Sequence, residues 1–291
     1  MPEENTQRPP AIELSGVRAS SGSYEIISGV DIPFHEGKTS VVLGTAGSGK
    51  STLIKTAAGL VVPDEGRVCF RGQDIFGFNR SEEIAFRAAS GFVFQDAALW
   101  ANQTILNNVF MPLRVHKPWM GQSEMAEKAR VLLTRLGYAE GMALRPADLS
   151  TGEQKLVSIA RAIIHEPAVV FMDDPVSNLD EEAADRVYGV IEELRAQGRT
   201  LIIGANNSEL AYRFADYLGV IKGGRIAIFG TYEQTVAGAE EAMSASISRL
   251  RARGGRKSPD AGNAGAALST PSQRSDDPSQ RGDETTQRSN P

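Results

Sequence analysis

The stretch Val41–Leu53, VVLGTAGSGKSTL, decides how the rest of this sequence is interpreted. Gly44, Gly49, Lys50 and Ser51 fill the pattern G-x-x-x-x-G-K-[ST]. Glycines at both ends of such a loop let backbone N–H groups turn inward around phosphate oxygens. An apolar run before the loop predicts a buried strand, and the residues after it predict a helix whose positive end faces the same anion. The sequence therefore predicts a site for a nucleoside triphosphate.

Two side chains of this loop carry specific chemistry. Lys50 can reach the β- and γ-phosphates, and the Ser51 hydroxyl can bind Mg²⁺. ATP and Mg²⁺ are accordingly the expected ligands. The expected nucleotide-binding residues of the loop are Gly44, Thr45, Ala46, Gly47, Ser48, Gly49, Lys50, Ser51 and Thr52.

The composition is that of a soluble globular protein with one large or two modest domains. The 291 residues are 41% hydrophobic, and the net charge of -5 argues against a dominant nucleic-acid surface. The single cysteine, Cys69, excludes an internal disulfide and is expected to pack in a strand. The first ten residues have no basic start or apolar run, so no signal peptide is expected. No apolar stretch approaches the ~20 residues that span a bilayer. If the protein acts at a membrane, a partner is therefore expected to supply the membrane-spanning segments.

Strand and helix patterns alternate along the chain and predict an α/β fold. Three apolar runs lack polar alternation, as expected of parallel strands buried on both faces. Two earlier segments alternate apolar and polar residues and predict an antiparallel β region. The unalternating runs are Thr39–Leu43, Ala168–Met172 and Thr200–Ile203, and the alternating ones are Ile12–Val17 and Tyr24–Phe34.

The region from about residue 96 to 149 has a different pattern. Thr104–Met111 and Gln122–Leu136 have helical spacing with no convincing strand between them, which predicts an inserted helical subdomain. Residues 1–10 are expected to form a flexible arm. Residues 251–291 are polar, with few apolar side chains, and are expected to be disordered.

Four further motifs follow the glycine-rich loop in a fixed order, and with them the chain resembles the nucleotide-binding subunit of ABC transporters. The resemblance predicts a P-loop NTPase (RecA-like) core within an ATP-binding domain at residues 11–250. The motifs are GTAGSGKS at 44–51 (Walker A), Gln95 in GFVFQD (Q-loop), LSTGEQ at 149–154 (similar to the LSGGQ signature), AVVFMDD at 168–174 (Walker B) and SNLD at 177–180 (D-loop).

The resemblance implies a role for each matching residue. Asp173 and Gln95 would hold Mg²⁺ together with Ser51. Asp174 would polarise the attacking water, with Gln95 and Asn206 beside it. Ser150 and Gly152 would meet the γ-phosphate of ATP bound to a second subunit, since they begin a helix.

Each role has a plainer alternative. Asp173 also fits a buried structural aspartate, and Gln95 fits a surface glutamine at a strand end. Ser150 fits an ordinary helix cap. Asp180, which by the resemblance would bridge the two subunits, also fits a cap for the helix predicted at Glu181–Gln197, and the two roles are compatible.

The resemblance also implies partners and a location. Each ATP would lie between two cassettes, so the working unit would be a dimer, of identical or of different chains. An integral-membrane permease would be the second partner, with no nucleic acid involved. The chain would then lie on the cytoplasmic face of the inner (plasma) membrane as a peripheral subunit.

Four positions depart from the family pattern. Asp174 stands where the family has a glutamate, and a stem one methylene shorter misplaces the carboxylate; about 1 Å can cost on the order of 10²-fold in rate. Asn206 stands at the family's histidine and cannot become cationic. Thr151 replaces a glycine of the signature. Tyr24 is about three residues out of register with the aromatic that stacks on adenine, and fits a plain strand residue equally.

These departures favour phosphate and Mg²⁺ binding over fast hydrolysis. The leading interpretation is a slow or partner-dependent ATPase, and the alternative is a non-hydrolysing regulatory or structural subunit. The run FQDAALWANQTILNNVFMPLR is similar to the ATPases of Mce/Mla-type lipid transporters, which implies a lipid substrate. Its Trp100 and the nearby Trp119 fit either a permease-binding groove or the core of the helical subdomain.

Overall fold

The structure is a computed structural model that describes residues 9–138 and 140–238. The expected disordered tail at 251–291 and most of the expected N-terminal arm lie outside the described residues. The residues Tyr232–Arg251 predict one or two helices, and the structure describes this segment as far as Gly238. No helix in the described part of the chain is long and apolar enough to cross a membrane.

A six-stranded sheet forms the centre of the molecule, in the order β10-β9-β3-β8-β7-β6. The five strands from β9 to β6 in this order run parallel. Strand β10 pairs antiparallel with β9, which is the hairpin that the runs Asp216–Ile221 and Arg225–Phe229 predict. The three runs without alternation form β3, β7 and β8, and every residue of these three strands is buried, as predicted. The strands are β3 (Thr39–Leu43), β6 (Ser90–Val93), β7 (Val169–Asp173), β8 (Thr200–Ala205), β9 (Tyr217–Lys222) and β10 (Arg225–Thr231).

A second sheet, antiparallel and in the order β2-β1-β4-β5, confirms the predicted antiparallel region. Apolar side chains from this sheet, such as Phe34 and Val68, form one core with Leu53 and Phe171. The half-buried Cys69 lies in β4 and is a free thiol. The strands are β1 (Ile12–Ser21), β2 (Tyr24–Phe34), β4 (Glu65–Phe70) and β5 (Gln73–Asp74).

The helices lie where their spacing predicts them, with small shifts at the ends. The run Ser81–Ala89 predicts a helix with Ser81 as its cap, and this cap is wrong. Asn79 caps it instead, because its side-chain oxygen accepts the N–H groups of Ser81 and Glu82 while Glu82 bonds back to the Asn79 N–H. The helices are α1 (Lys50–Ala57), α2 (Arg80–Ala89), α3 (Ile105–His116), α4 (Gln122–Arg135), α5 (Thr151–Ile163), α6 (Glu181–Ala196), α7 (Ser208–Phe214) and α8 (Tyr232–Gly238).

The region between β6 and α5 is helical, with α3 and α4 and a short 3-10 turn at Pro146–Asp148. Leu113 and Phe110 of α3 are buried, in one core cluster with residues of α4 and α5. The two tryptophans are not core residues, since Trp100 is 46% and Trp119 79% exposed. The aromatic residues of this region therefore divide between core and surface.

Candidate functional site

The glycine-rich loop connects β3 to α1 and leaves the start of α1 without a side-chain cap. Its N-cap residue, Gly49, has φ of 97°, and α1 has no acidic residue in its first turn. A side chain at Gly44 would meet the Ser48 hydroxyl at 2.4 Å and the Ile221 carbonyl at 2.9 Å. The first and last glycines are thus fixed by geometry, and the free N–H groups of α1 can bind an anion.

An oxygen pair suited to a metal ion lies at the start of α1. The Ser51 hydroxyl donates to Asp173 Oδ1 at 3.0 Å, which joins the loop to the end of β7. The other carboxylate oxygen, Asp173 Oδ2, is buried and has no hydrogen-bond partner among the described residues. A hydroxyl and a carboxylate with a spare oxygen are hard oxygen ligands of the kind Mg²⁺ prefers. The residues present therefore fit the expected ion.

Three residues form a hydrogen-bonded chain beside this pair. Lys50 Nζ donates to Asn206 Oδ1 at 2.7 Å, and Asn206 Nδ2 donates to Asp174 Oδ2. Burial raises the pKa of the Asp174 carboxyl, although the Asn206 main chain and Lys50 pull it down. Burial also lowers the pKa of Lys50, while the negative charges of Asp174 and Asp173 raise it. Asn206 therefore holds the lysine and the carboxylate apart by one neutral amide.

The sequence did not predict that Lys50, Asn206 and Asp174 would be joined by hydrogen bonds. Asp173 and Asp174 end or follow β7, and Asn206 follows β8, its parallel neighbour. The carboxyl ends of parallel strands meet at one edge of a sheet, and this general signal could have identified the contact. The hydrogen bond from Lys50 to Asn206 depends on side-chain positions that sequence spacing does not reveal.

Asp174 has an unusual backbone. Its φ of 49° lies in the left-handed region, which non-glycine residues seldom adopt. Its N–H donates to the Gly204 carbonyl at 2.9 Å, and its own carbonyl accepts the Ser177 hydroxyl at 2.9 Å. The surrounding bonds thus fix this strained residue at a site with two buried carboxylates.

The start of α5 carries the signature-like residues, and here the helix caps itself. Ser150 is the N-cap, as the plainer alternative predicted, and Asp180 caps α6 in the same way. The Glu153 carboxylate accepts both the Ser150 N–H, at 2.8 Å, and the Ser150 hydroxyl, at 2.7 Å. Gly152 lies against the side chain of Ala183. An internal carboxylate therefore occupies this helix N-terminus.

Gln95 is not brought together with the other expected metal ligands in this structure. It follows β6, its side chain is exposed, and it makes no hydrogen bond to Ser51 or Asp173 in the described chain. Its main-chain carbonyl instead accepts the ammonium of Lys155 at 2.5 Å. Sequence reasoning missed Lys155, because a lysine in an amphipathic helix pattern is normally assigned to the exposed face.

A groove lies beside the Gln95 segment, on the side of Trp100. Its volume is about 600 Å³, and it is lined mostly by apolar atoms of β6, α3 and the end of α1. Leu60 is 45% exposed at its edge, and the Trp100 ring lies over Arg161. The second tryptophan, Trp119, is not part of its lining.

Tyr24 begins β2 and is 79% exposed. Two residues further along the strand, the Ile26 carbonyl is so close to Gly49 that an added Cβ there would meet it at 2.8 Å. Tyr24 thus lies on the strand that borders the loop, with its ring free to stack on a flat ligand.

Comparison with known proteins agrees with these features. The family model described as ABC transporter matches residues 27–177. The octopine permease ATP-binding protein P of Rhizobium radiobacter is 35% identical over 212 residues, covering 69% of this chain and 80% of that protein. The lipoprotein-releasing system ATP-binding protein LolD of Pseudomonas syringae pv. tomato is 34% identical over 205 residues, covering 70% of this chain and 89% of that protein.

Solved structures have the same fold. The ATP-binding cassette MJ0796, in a dimeric post-hydrolysis state bound to ADP and Pi, superposes with a TM-score of 0.71 at 25% identity. The match covers 76% of this chain and 98% of MJ0796. The chain therefore belongs to the ABC transporter family, as an ATP-binding subunit with the fold and nucleotide site of an ABC-type ATPase.

Proposed function

We propose that this chain forms a head-to-tail dimer that closes on ATP and drives a separate membrane permease. The observation that carries the proposal is the division of the site. The loop and the Ser51–Asp173 pair lie at one place, whereas Ser150 and Gly152 make their contacts within α5 and with α6. One chain thus offers half of two sites, and the dimeric state of MJ0796 supports the pairing.

In this proposal residues 44–52 bind the phosphates through the loop N–H groups and Lys50. Ser51 and Asp173 would hold Mg²⁺, and Gln95 would join them once its exposed side chain turns toward the pair. The ion would supply positive charge that neutralises the phosphates. Ser150 and Gly152 bind the γ-phosphate of the nucleotide held by the other subunit. The Lys50 ammonium leaves Asn206 when phosphate arrives, because a charged acceptor is a stronger partner than an amide.

Hydrolysis then depends on Asp174. Its carboxylate orients the attacking water and accepts a proton from it, and Asn206 keeps this carboxylate in position. The raised pKa makes the Asp174 carboxylate a better base. Its short side chain and its hydrogen bond to Asn206 keep the carboxylate farther from the phosphate. We therefore propose slow turnover by the isolated chain and faster turnover with the permease.

We assign the permease contact to the groove at Trp100. An exposed tryptophan beside an apolar depression is typical of a protein contact, and the resemblance implies a short permease helix at this place. The chain would then lie at the cytoplasmic face of the inner membrane as a peripheral subunit. Purification of the complex will show whether the two cassettes of the dimer are identical chains.

A lipid or lipid-linked cargo is the finer part of the proposal. It is supported by the run from Phe94 to Arg114 and by the similarity to LolD, named for lipoprotein release. Similarity to proteins named for octopine and L-cystine transport is equally strong, so the cargo is open to direct identification.

Purification of the full chain from its native membrane in mild detergent tests the proposal. We expect an integral-membrane protein to accompany it, and ATPase activity per chain to rise at least about tenfold in that complex, comparable to correcting a misplaced group. Trp100→Ala should lose the membrane protein, and Trp119→Ala, at a more exposed tryptophan outside the groove, should keep it. A chain that elutes alone, or ordinary transporter rates in isolation, would contradict the proposal. A permease-bound chain without turnover would establish the non-hydrolysing alternative.

A further inference from the structure

Lys155 is a buried cation outside the expected set of site residues. It lies in the second turn of α5 and is 2% exposed. An ammonium removed from water costs several kcal/mol unless it is fully hydrogen-bonded. Lys155 Nζ donates to the Phe94 carbonyl at 3.0 Å and to the Gln95 carbonyl at 2.5 Å. No carboxylate of the described residues lies within ion-pair distance of it. The charge is therefore held by main-chain dipoles on both sides of Gln95.

The surroundings of Lys155 connect it to the nucleotide site. Burial lowers the pKa of the ammonium, while the negative charges of Asp174, Asp173 and Asp96 oppose this effect. Two of these three carboxylates are the pair at the end of β7. The ammonium that bonds to the Gln95 carbonyl therefore also feels the negative charge of this pair.

A second cation of α5 holds the rest of the same segment. Arg161 donates to the Ala98 carbonyl at 2.7 Å and to the Ala97 carbonyl at 2.9 Å. Both alanines have positive φ, 62° at Ala97 and 47° at Ala98, so their carbonyls point in directions that regular structure would not give. Four carbonyls between residues 94 and 98 are therefore fixed by side chains of one helix.

That helix is the one that begins at Ser150. We propose that Lys155 is a positioning residue that couples the two nucleotide sites of the dimer. It ties the main chain at Gln95, on this chain's nucleotide, to the helix that meets the partner's nucleotide. When the start of α5 moves onto the second γ-phosphate, Gln95 moves with it. This inference rests on the proposed dimer.

Lys155→Met in the full chain tests the coupling, since methionine keeps the unbranched stem and removes every donor. We expect the Mg²⁺ concentration for half-maximal ATPase activity to rise about tenfold and kcat to fall about tenfold, because a displacement of the Gln95 segment by about 1 Å costs up to 10²-fold in rate. The Hill coefficient for ATP should approach 1. Binding of a fluorescent ATP analogue in EDTA should not change, because the loop is untouched. Lys155→Arg should recover part of the Mg²⁺ dependence, and Lys128→Met, at a partly exposed lysine of α4, should match the wild type.

Arg161→Met separates positioning from general anchoring. It removes a buried cation from the same segment but leaves the Phe94 and Gln95 carbonyls bonded. We expect it to shift the Mg²⁺ dependence at least threefold less than Lys155→Met. Equal shifts in the two variants, or wild-type Mg²⁺ dependence and cooperativity in Lys155→Met, would overturn the inference. If Lys155→Met does not fold, the neutral Lys155→Gln is measured against the same outcomes. A wild-type chain with neither ATP-driven dimerisation nor turnover would instead contradict the proposed function itself.

Discussion

The nucleotide site contains two helix N-termini, that of α1 after the glycine-rich loop and that of α5 after Leu149. They differ in how the first N–H groups of the helix are bonded. Both expose N–H groups that need a partner. At α1 the N-cap is Gly49, with no side-chain cap and no acid in the first turn. At α5 the N-cap is Ser150, and Glu153 closes a capping box over it. The first end is open to an external anion, and the second carries one of its own.

The difference shows how a helix end is prepared for a ligand. A capping box stabilises the free helix by about 1 kcal/mol, and that stabilisation is lost when a phosphate takes the place of the carboxylate. The α1 end gives up nothing of the kind. We therefore expect nucleotide to bind first at α1, and the dimer to close only when the second phosphate contact displaces Glu153.

The largest expected effect comes from the carboxylate between the two ends. Asp174→Asn keeps the size and the hydrogen bond of the side chain but cannot accept a proton. Loss of a general base lowers rates by about 10²–10⁴-fold. We expect kcat to fall in this range with unchanged affinity for a fluorescent ATP analogue at α1. Turnover like that of the wild type would show that Asp174 is not the water-polarising residue.

Removing the cation of the α1 end should weaken binding itself. Lys50→Met takes away a buried ammonium that can bond to phosphate, and hydrogen bonds to charged groups contribute about 1.5–3 kcal/mol. Affinity for ATP should fall by about 10- to 100-fold, measured by titration of the fluorescent analogue. Lys55→Met, in the last turn of the same helix, serves as the control. If both variants bound equally well, the open α1 end alone would carry the affinity.

The sequence predicts the α1 end almost completely, since its chemistry depends on residues that are contiguous. Strand β3, the glycines and the first turn of α1 all lie within Val41–Leu53. The sheet follows for a similar reason, because strands buried on both faces lack alternation. The α5 cap was also readable, as Ser150 and Glu153 have the S-x-x-E spacing.

The parts that could not be predicted depend on contacts between distant segments. Asn206 bonds to Lys50, 156 residues earlier, and Lys155 reaches Gln95 across 60 residues. Neither contact leaves a periodic pattern in the sequence. The exposed Trp100 and the buried Phe110 occur in one apolar run, and only the packing of α3 on α5 separates them.

A moderate effect is expected from opening the α5 end. Glu153→Gln keeps the acceptor for the Ser150 N–H and removes the negative charge from the helix start. A charge at this position contributes about 1 kcal/mol, so ATP-driven dimerisation should tighten about fivefold. Analytical ultracentrifugation of the hydrolysis-deficient Asp174→Asn background measures it. Glu124→Gln, in the first turn of α4, is the matched control. Weaker dimerisation in Glu153→Gln would mean that Glu153 assists closure instead of opposing it.

The smallest effect concerns stability, and it separates a catalytic carboxylate from a structural one. Burial raises the pKa of Asp174 in the folded chain, so its contribution to stability is present below the unfolded pKa and is lost as pH rises through the folded value. At pH 7 Asp174→Asn should therefore unfold at a higher temperature than the wild type. The difference should shrink as pH falls toward 4, whereas Asp64→Asn, at an exposed position, should show no such trend. A less stable Asp174→Asn at pH 7 would mean that the ionised carboxylate holds β7 and β8 together through Asn206. The strained backbone of Asp174 would then serve the stability of the fold and not the orientation of the attacking water.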